Sequence, residues 1–163
     1  MKTLLPILML SFLVISCGEK GKQESKGFEV NRKKTANSEA QADQEVPVDM
    51  NNKGIGPISS YSFSSDINTE MADAGKSIYN SKCTACHMAE MRMIGPALKG
   101  VYERRSPEWV LNLLLNPMEM LKEDPIAKAL LKEYNNAIMT NSNLSEEEAK
   151  QVAEYLRRSE EVV

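Results

Sequence analysis

Apolar residues recur at helical spacing in the C-terminal part of the chain, from about residue 67 to residue 160. The first predicted helix is capped by Asn68 or Thr69 and covers Met71 to Asn80. Gly75 lies inside this helix, where glycine costs about 1 kcal/mol relative to alanine. We therefore expect another element to approach this helix closely at Gly75.

Capping signals mark the starts of three further helices. Ser106-Pro107 and Asp124-Pro125 each place a capping side chain before a proline at the first helical position, and Asn116-Pro117 ends the first of these helices. Ser145 and Glu148 form a capping box before the last helix. Because no run is typical of a strand, the predicted fold is all-α.

Two regions lack a regular apolar period. Residues 88–101 contain Gly95-Pro96 and Gly100, which predicts a loop wrapped around something other than its own side chains. Residues 18–66 are rich in polar residues and are predicted to be a flexible tether. About 49 residues of flexible coil would span roughly 40 Å on average and about 160 Å at full extension.

The N-terminus resembles that of a bacterial lipoprotein. Lys2 precedes an apolar run from Leu4 to Ile15, which is too short to span a membrane comfortably and is typical of a secretory signal. Val-Ile-Ser-Cys resembles a lipobox ending at Cys17. The predicted organisation is a signal peptide over 1–16, a lipidated Cys17 with its tether over 17–66, and a folded domain over 67–163. This predicts an exported, lipid-anchored protein whose domain faces the periplasm.

The strongest chemical signal is the stretch Cys83-Thr84-Ala85-Cys86-His87. Two thiols three positions apart with a following histidine form the attachment sequence of a c-type haem, in which the histidine is the proximal iron ligand. A zinc site would need more ligands than these cysteines and the sole histidine of the chain. A thioredoxin-like dithiol would need a βαβ context, and a plain disulfide would leave His87 unexplained.

Charge disfavours one class of partner. From residue 67 to 163 there are 12 Lys and Arg against 15 Asp and Glu, a net charge of −3. A mildly acidic domain is not expected to bind nucleic acid.

The folded domain resembles a small class I cytochrome c with one covalently bound haem. The resemblance rests on Gly75, Tyr79, the attachment sequence, Gly95-Pro96, Met139 and a terminal helix containing Tyr155. It implies that the first and last helices cross at Gly75 with Tyr155 nearby. It also implies that the Pro96 carbonyl accepts the proton on the far nitrogen of His87.

The sixth iron ligand implied by the resemblance is Met139, just before the terminal helix. Met118 and Met120 stay open as alternatives, since loops in this family vary and since Thr140 follows Met139 where proline is frequent. In many relatives an aromatic residue or an arginine binds a haem propionate, and Arg104, Arg105 and Trp109 fall in that region.

A haem with both axial positions filled leaves no open site for a substrate, so the resemblance implies a one-electron carrier and not an enzyme. The expected partners are a quinol-oxidising complex or cytochrome as donor and a terminal reductase or oxidase as acceptor. Residues 107–144 also resemble lipoprotein cytochromes of anaerobic respiration, including nitrous oxide reduction. Two alternatives remain: a five-coordinate haem gas sensor or peroxidase-like enzyme, and a thiol-redox or structural lipoprotein that never receives haem.

Overall fold

The computed structural model describes residues 46–161. This part of the chain is helical, and its strand-type pairing is a single bridge between Asp49 and Arg105. A 3-10 turn covers Val101–Glu103. The helices are α1 (Thr69–Lys82), α2 (Pro107–Leu115), α3 (Pro117–Glu123), α4 (Pro125–Glu133) and α5 (Glu146–Glu161). The all-α prediction is confirmed. No helix within these residues is long and apolar enough to cross a membrane.

Local capping chemistry places the helix starts where the sequence predicts them. The side chains of Asn68, Ser106 and Asp124 each accept a backbone N–H from the first turn, at 2.8 to 3.1 Å. Ser145 and Glu148 bond reciprocally at the start of α5. Helix α3 was not predicted: Pro117 ends α2, as expected, but also begins a short helix of its own.

Helices α1 and α5 cross at Gly75, which confirms the predicted close approach. A Cβ atom at this position would lie 1.9 Å from the backbone oxygen of Gln151. The rings of Tyr79 and Tyr155 pack beside the crossing, with centroids 5.2 Å apart. This contact fixes the direction in which the end of α1 presents the attachment sequence.

Residues 46–63 pack against the helices and form what we call the strap. Ile58 is buried, and its backbone N–H and carbonyl both bond the buried side chain of Asn112 on α2, each at 2.9 Å. At the end of the strap, Phe63 packs edge-on against Tyr102. The predicted tether is therefore wrong over 46–63, because Asn112 satisfies backbone groups that a free coil would leave to water. The signal peptide, Cys17 and the rest of the tether to residue 45 lie outside the described residues.

The hydrophobic core lies between α2 and α5. Leu111, Val152 and Ala153 are almost completely buried at its centre. Trp109 and Leu114 lie on α2, and their side chains also line a cavity on one side of this core. The site is built around that cavity.

Candidate haem site

The attachment sequence forms a tight turn at the end of α1. The backbone N–H groups of Cys86 and His87 both donate to the carbonyl of Cys83, at 3.0 and 2.9 Å. Tyr79 on α1 donates its hydroxyl proton to the carbonyl of His87 at 3.1 Å. Cys83 and Cys86 form no disulfide, so each sulfur atom can form a thioether bond. The turn brings both sulfur atoms and the imidazole to one wall of the cavity.

The imidazole of His87 is held from its far side. Its Nδ1 lies 3.0 Å from the carbonyl oxygen of Pro96, so the contact expected from the family pattern is present. Because a carbonyl accepts only, this bond places the proton on Nδ1 and leaves Nε2 as the nitrogen that can bind a metal. Gly95 lets the loop lie against the ring, since a Cβ there would come within 2.4 Å of Cε1.

The cavity encloses about 270 Å³ and is lined mainly by apolar side chains. Helix α2 supplies Trp109, Val110, Leu113 and Leu114, and α4 supplies Leu130. Residues of the loop between α4 and α5, including Met139, also line it. The cavity therefore has the chemistry of a site for a large apolar group.

The three methionines considered as iron ligands lie in different environments. Met139 is half-buried and is the one methionine of the described residues that lines this cavity. Met120 is fully buried elsewhere, where its sulfur accepts the backbone N–H of Ile55 at 2.9 Å. Met118 is 55% exposed on α3. Of the three candidate ligands, only Met139 lines the cavity that His87 also lines.

The loop that carries Met139 turns through left-handed backbone conformations. Asn135, Asn136 and Asn143 have φ values of 54°, 59° and 49°. Asparagine tolerates this region better than other residues with a side chain. Asparagine and not glycine takes these positions on either side of Met139. The sequence therefore gives a weaker loop signal here than over residues 95–100.

The residues predicted to bind a haem propionate differ in whether their side-chain N–H groups are already hydrogen-bonded within the protein. Trp109 lines the cavity with its ring, but its Nε1–H donates to Asp124 at 3.1 Å and is not free for a propionate. Arg104 and Arg105 also line the cavity. Arg105 is buried and donates to the carbonyl of Pro47, while burial and the neighbouring Arg104 lower its pKa. The two arginines remain the candidates for an anionic group at this edge.

Sequence reasoning missed Asp124 as part of the site. Its side chain caps α4, which was predicted, but it also bonds Trp109 and the strap residue Asn52. The only sequence signal was the Asp-Pro pair, which predicts a cap and nothing further.

The residues around the cavity fit a c-type haem. Two thiols and a ring nitrogen lie on one wall, a thioether lines the same space, and arginines can neutralise propionates at the edge. The apolar lining suits a porphyrin ring. The donor set therefore matches the attachment chemistry expected from the sequence.

Comparison with known proteins agrees with this geometry. The family model described as cytochrome c matches residues 72–160. A cytochrome c from Rhodothermus marinus is 42% identical; the match covers 65% of this chain and 90% of that protein, with a TM-score of 0.63. An engineered cytochrome c from the same organism, described as bound to a carbene intermediate, is 40% identical over 65% of this chain and 91% of that one, with a TM-score of 0.60. No curated protein matches the sequence.

Proposed function

Since the chain belongs to the cytochrome c family, binds haem c covalently and serves haem-based electron transfer, we propose that it is a membrane-tethered, one-electron carrier with His87 and Met139 as axial ligands. Its place is a respiratory chain, between a quinol-oxidising complex or cytochrome and a terminal reductase or oxidase. Nitrous oxide reductase is one such acceptor.

The position of Met139 carries the proposal. It lines the same cavity as His87, whereas the sulfur of Met120 accepts the backbone N–H of Ile55, and Met118 is exposed and is not among the lining residues. The hydrogen bond to Pro96 fixes the orientation of the His87 ring, so the protein holds this ligand in place. A thioether as second ligand raises the reduction potential relative to two imidazoles.

The bound haem supplies an iron that alternates between the ferrous and ferric states. The apolar side chains that line the cavity would orient the porphyrin and keep water away from it. With two protein ligands there is no free position for a substrate, so we propose no enzymatic activity. A five-coordinate sensor or peroxidase-like protein is the alternative if Met139 does not bind iron.

Exposed apolar side chains beside the cavity support exchange of electrons with protein partners. Ile94 and Ile138 line the cavity and are still 55% and 60% exposed. Met88, Met91 and Met93, in the same loop as Ile94, are exposed as well. Such a small apolar surface suits the weak, rapid encounters of redox proteins.

The strap changes the reach of the proposed anchor. If Cys17 carries the lipid, the predicted tether shortens to residues 18–45, because the strap packs against the helices from residue 46 onward. About 28 residues of flexible coil span roughly 30 Å on average and at most about 100 Å. The domain would therefore work close to the membrane. Cys17→Ser should release the protein from the membrane fraction; retention would refute the lipid anchor.

The ferric absorption spectrum of the haem-loaded protein tests the ligand assignment. We expect the weak far-red charge-transfer band of a thioether on ferric iron, and no CO binding by the reduced protein. Met139→Ala should abolish the band, open the iron to CO and lower the potential.

Met118→Ala and Met120→Ala are the controls. Met118→Ala should leave both spectrum and stability unchanged. Met120→Ala should keep the band while reducing the free energy of unfolding by about 2–5 kcal/mol, because it empties a buried site. Loss of the band in either control would assign the sixth iron ligand to the methionine replaced there. Ready CO binding by the unaltered protein would favour the five-coordinate alternative.

A further inference from the structure

Asp124 is a buried carboxylate with more bonds than a helix cap needs. It is 2% exposed. Its Oδ1 accepts the backbone N–H of Ala127 at 2.8 Å and the indole N–H of Trp109 at 3.1 Å. Its Oδ2 accepts the amide N–H of Asn52 at 2.7 Å. Within residues 46–161 it forms no ion pair, so three neutral donors bond the carboxylate, and the Arg105 guanidinium attracts its charge from a longer distance.

These bonds connect the strap to the wall of the haem site. Trp109 lines the cavity, and Asn52 belongs to the strap. Ser106 closes the connection, since its hydroxyl donates to the carbonyl of Asn52 at 2.6 Å and accepts the backbone N–H of Trp109. The Arg105 guanidinium lies 5.4 Å from the centre of the indole. Asp124 is thus one side chain behind the cavity wall.

A cap alone does not explain a carboxylate at this position. Capping α4 uses one bond, which asparagine or serine supplies about equally well. Burying a charge is costly unless its hydrogen bonds are complete, and here both oxygen atoms are used to hold other elements. A negative charge in a poorly solvated interior also acts over a longer distance than one in water.

We propose that Asp124 is a positioning residue of the haem site, which locks the Trp109 wall to the strap and lowers the haem reduction potential through its buried negative charge. The charge favours the ferric state because that state carries one more positive charge. The strap is coupled to the same potential, since the N–H dipole of Asn52 offsets part of the electrostatic field of Asp124. This inference rests on the haem that the family binds and not on the identity of the sixth ligand.

Asp124→Asn in the haem-loaded full chain provides the first test. Two quantities are measured: the midpoint potential, and the exchange rate of the indole proton in the reduced protein. Trp109 is the sole tryptophan, so its indole resonance needs no assignment. We expect the potential to rise and the indole proton to exchange faster. General loosening would instead admit water, which favours the ferric state and lowers the potential.

Asn52→Ala tests the strap, with Asn51→Ala as the matched control because the neighbouring Asn51 is exposed. Asn52→Ala removes the donor to Asp124 and the acceptor for the Gly54 N–H. We expect the potential to fall and the strap to be cleaved faster by protease, with neither change in Asn51→Ala.

An unchanged or lower potential in Asp124→Asn would overturn the proposal. If Asp124→Asn does not fold, Asn52→Ala provides the test, and an unchanged or higher potential in Asn52→Ala would also overturn the proposal. Neither result bears on the Met139 band, so failure here is distinguishable from failure of the carrier assignment.

Discussion

Replacing Gly75 with alanine should show how strongly the α1–α5 crossing supports the haem domain. A Cβ at this position would lie 1.9 Å from the oxygen and 2.4 Å from the carbon of the Gln151 carbonyl, and 2.9 Å from the nitrogen of Val152. All three atoms belong to the backbone of α5. No side-chain rotation can therefore relieve the contact, and the helices must separate.

The cost follows from that distance. Non-bonded heavy atoms prefer separations of about 3.5 Å, so the crossing must open by roughly 1.5 Å. Overpacking costs about 1–3 kcal/mol and more where the backbone itself must move. Alanine returns about 1 kcal/mol of helix propensity. We expect a net loss of about 2 kcal/mol or more in the free energy of unfolding.

Urea unfolding of the haem-loaded protein, followed by far-ultraviolet circular dichroism, measures this loss. The midpoint concentration should fall while the slope stays unchanged, since the surface exposed on unfolding is nearly the same. Lys76→Ala is the control, because Lys76 is the next residue of α1 and is exposed. If Gly75→Ala were as stable as the unaltered protein, or more stable by the propensity gain alone, the close crossing would be refuted.

Two other substitutions test the site and the pH dependence. Gly95→Ala should reduce haem incorporation, measured as haem absorbance per protein, because its Cβ would lie 2.4 Å from Cε1 of His87 and displace the ring from Pro96; normal loading would argue against this contact. Tyr102→Phe should cost about 1 kcal/mol at neutral pH through the lost bond to the Ala153 carbonyl. Burial raises the pKa of Tyr102 well above 10 in the folded protein. Because this tyrosine ionises at about pH 10 once the protein is unfolded, the unaltered protein loses stability as the pH rises past 10. The difference between Tyr102→Phe and the unaltered protein should shrink there, and a constant difference would contradict the assigned cause.

Residues that interact with near neighbours in the chain could be predicted from the sequence alone. The caps Asn68, Ser106 and Asp124 each bond a backbone group three residues away, and the attachment sequence spans five positions. Gly75 was predicted to need a close neighbour because a glycine inside a helix is otherwise unfavourable. These features depend on local geometry, which the sequence specifies directly.

The tertiary structure decided the rest. The strap could not be predicted, because its apolar residues follow neither a helical nor a strand period, and the partner of Ile58, Asn112, lies 54 positions away. The bond between Asp124 and Trp109, which takes the indole donor away from the haem edge, depends on how α2 meets the start of α4. The chain also holds several methionines of equal chemistry, and only packing separates the buried Met120 from Met139 at the cavity. Contacts between distant residues depend on how whole elements pack, and one sequence does not display that arrangement.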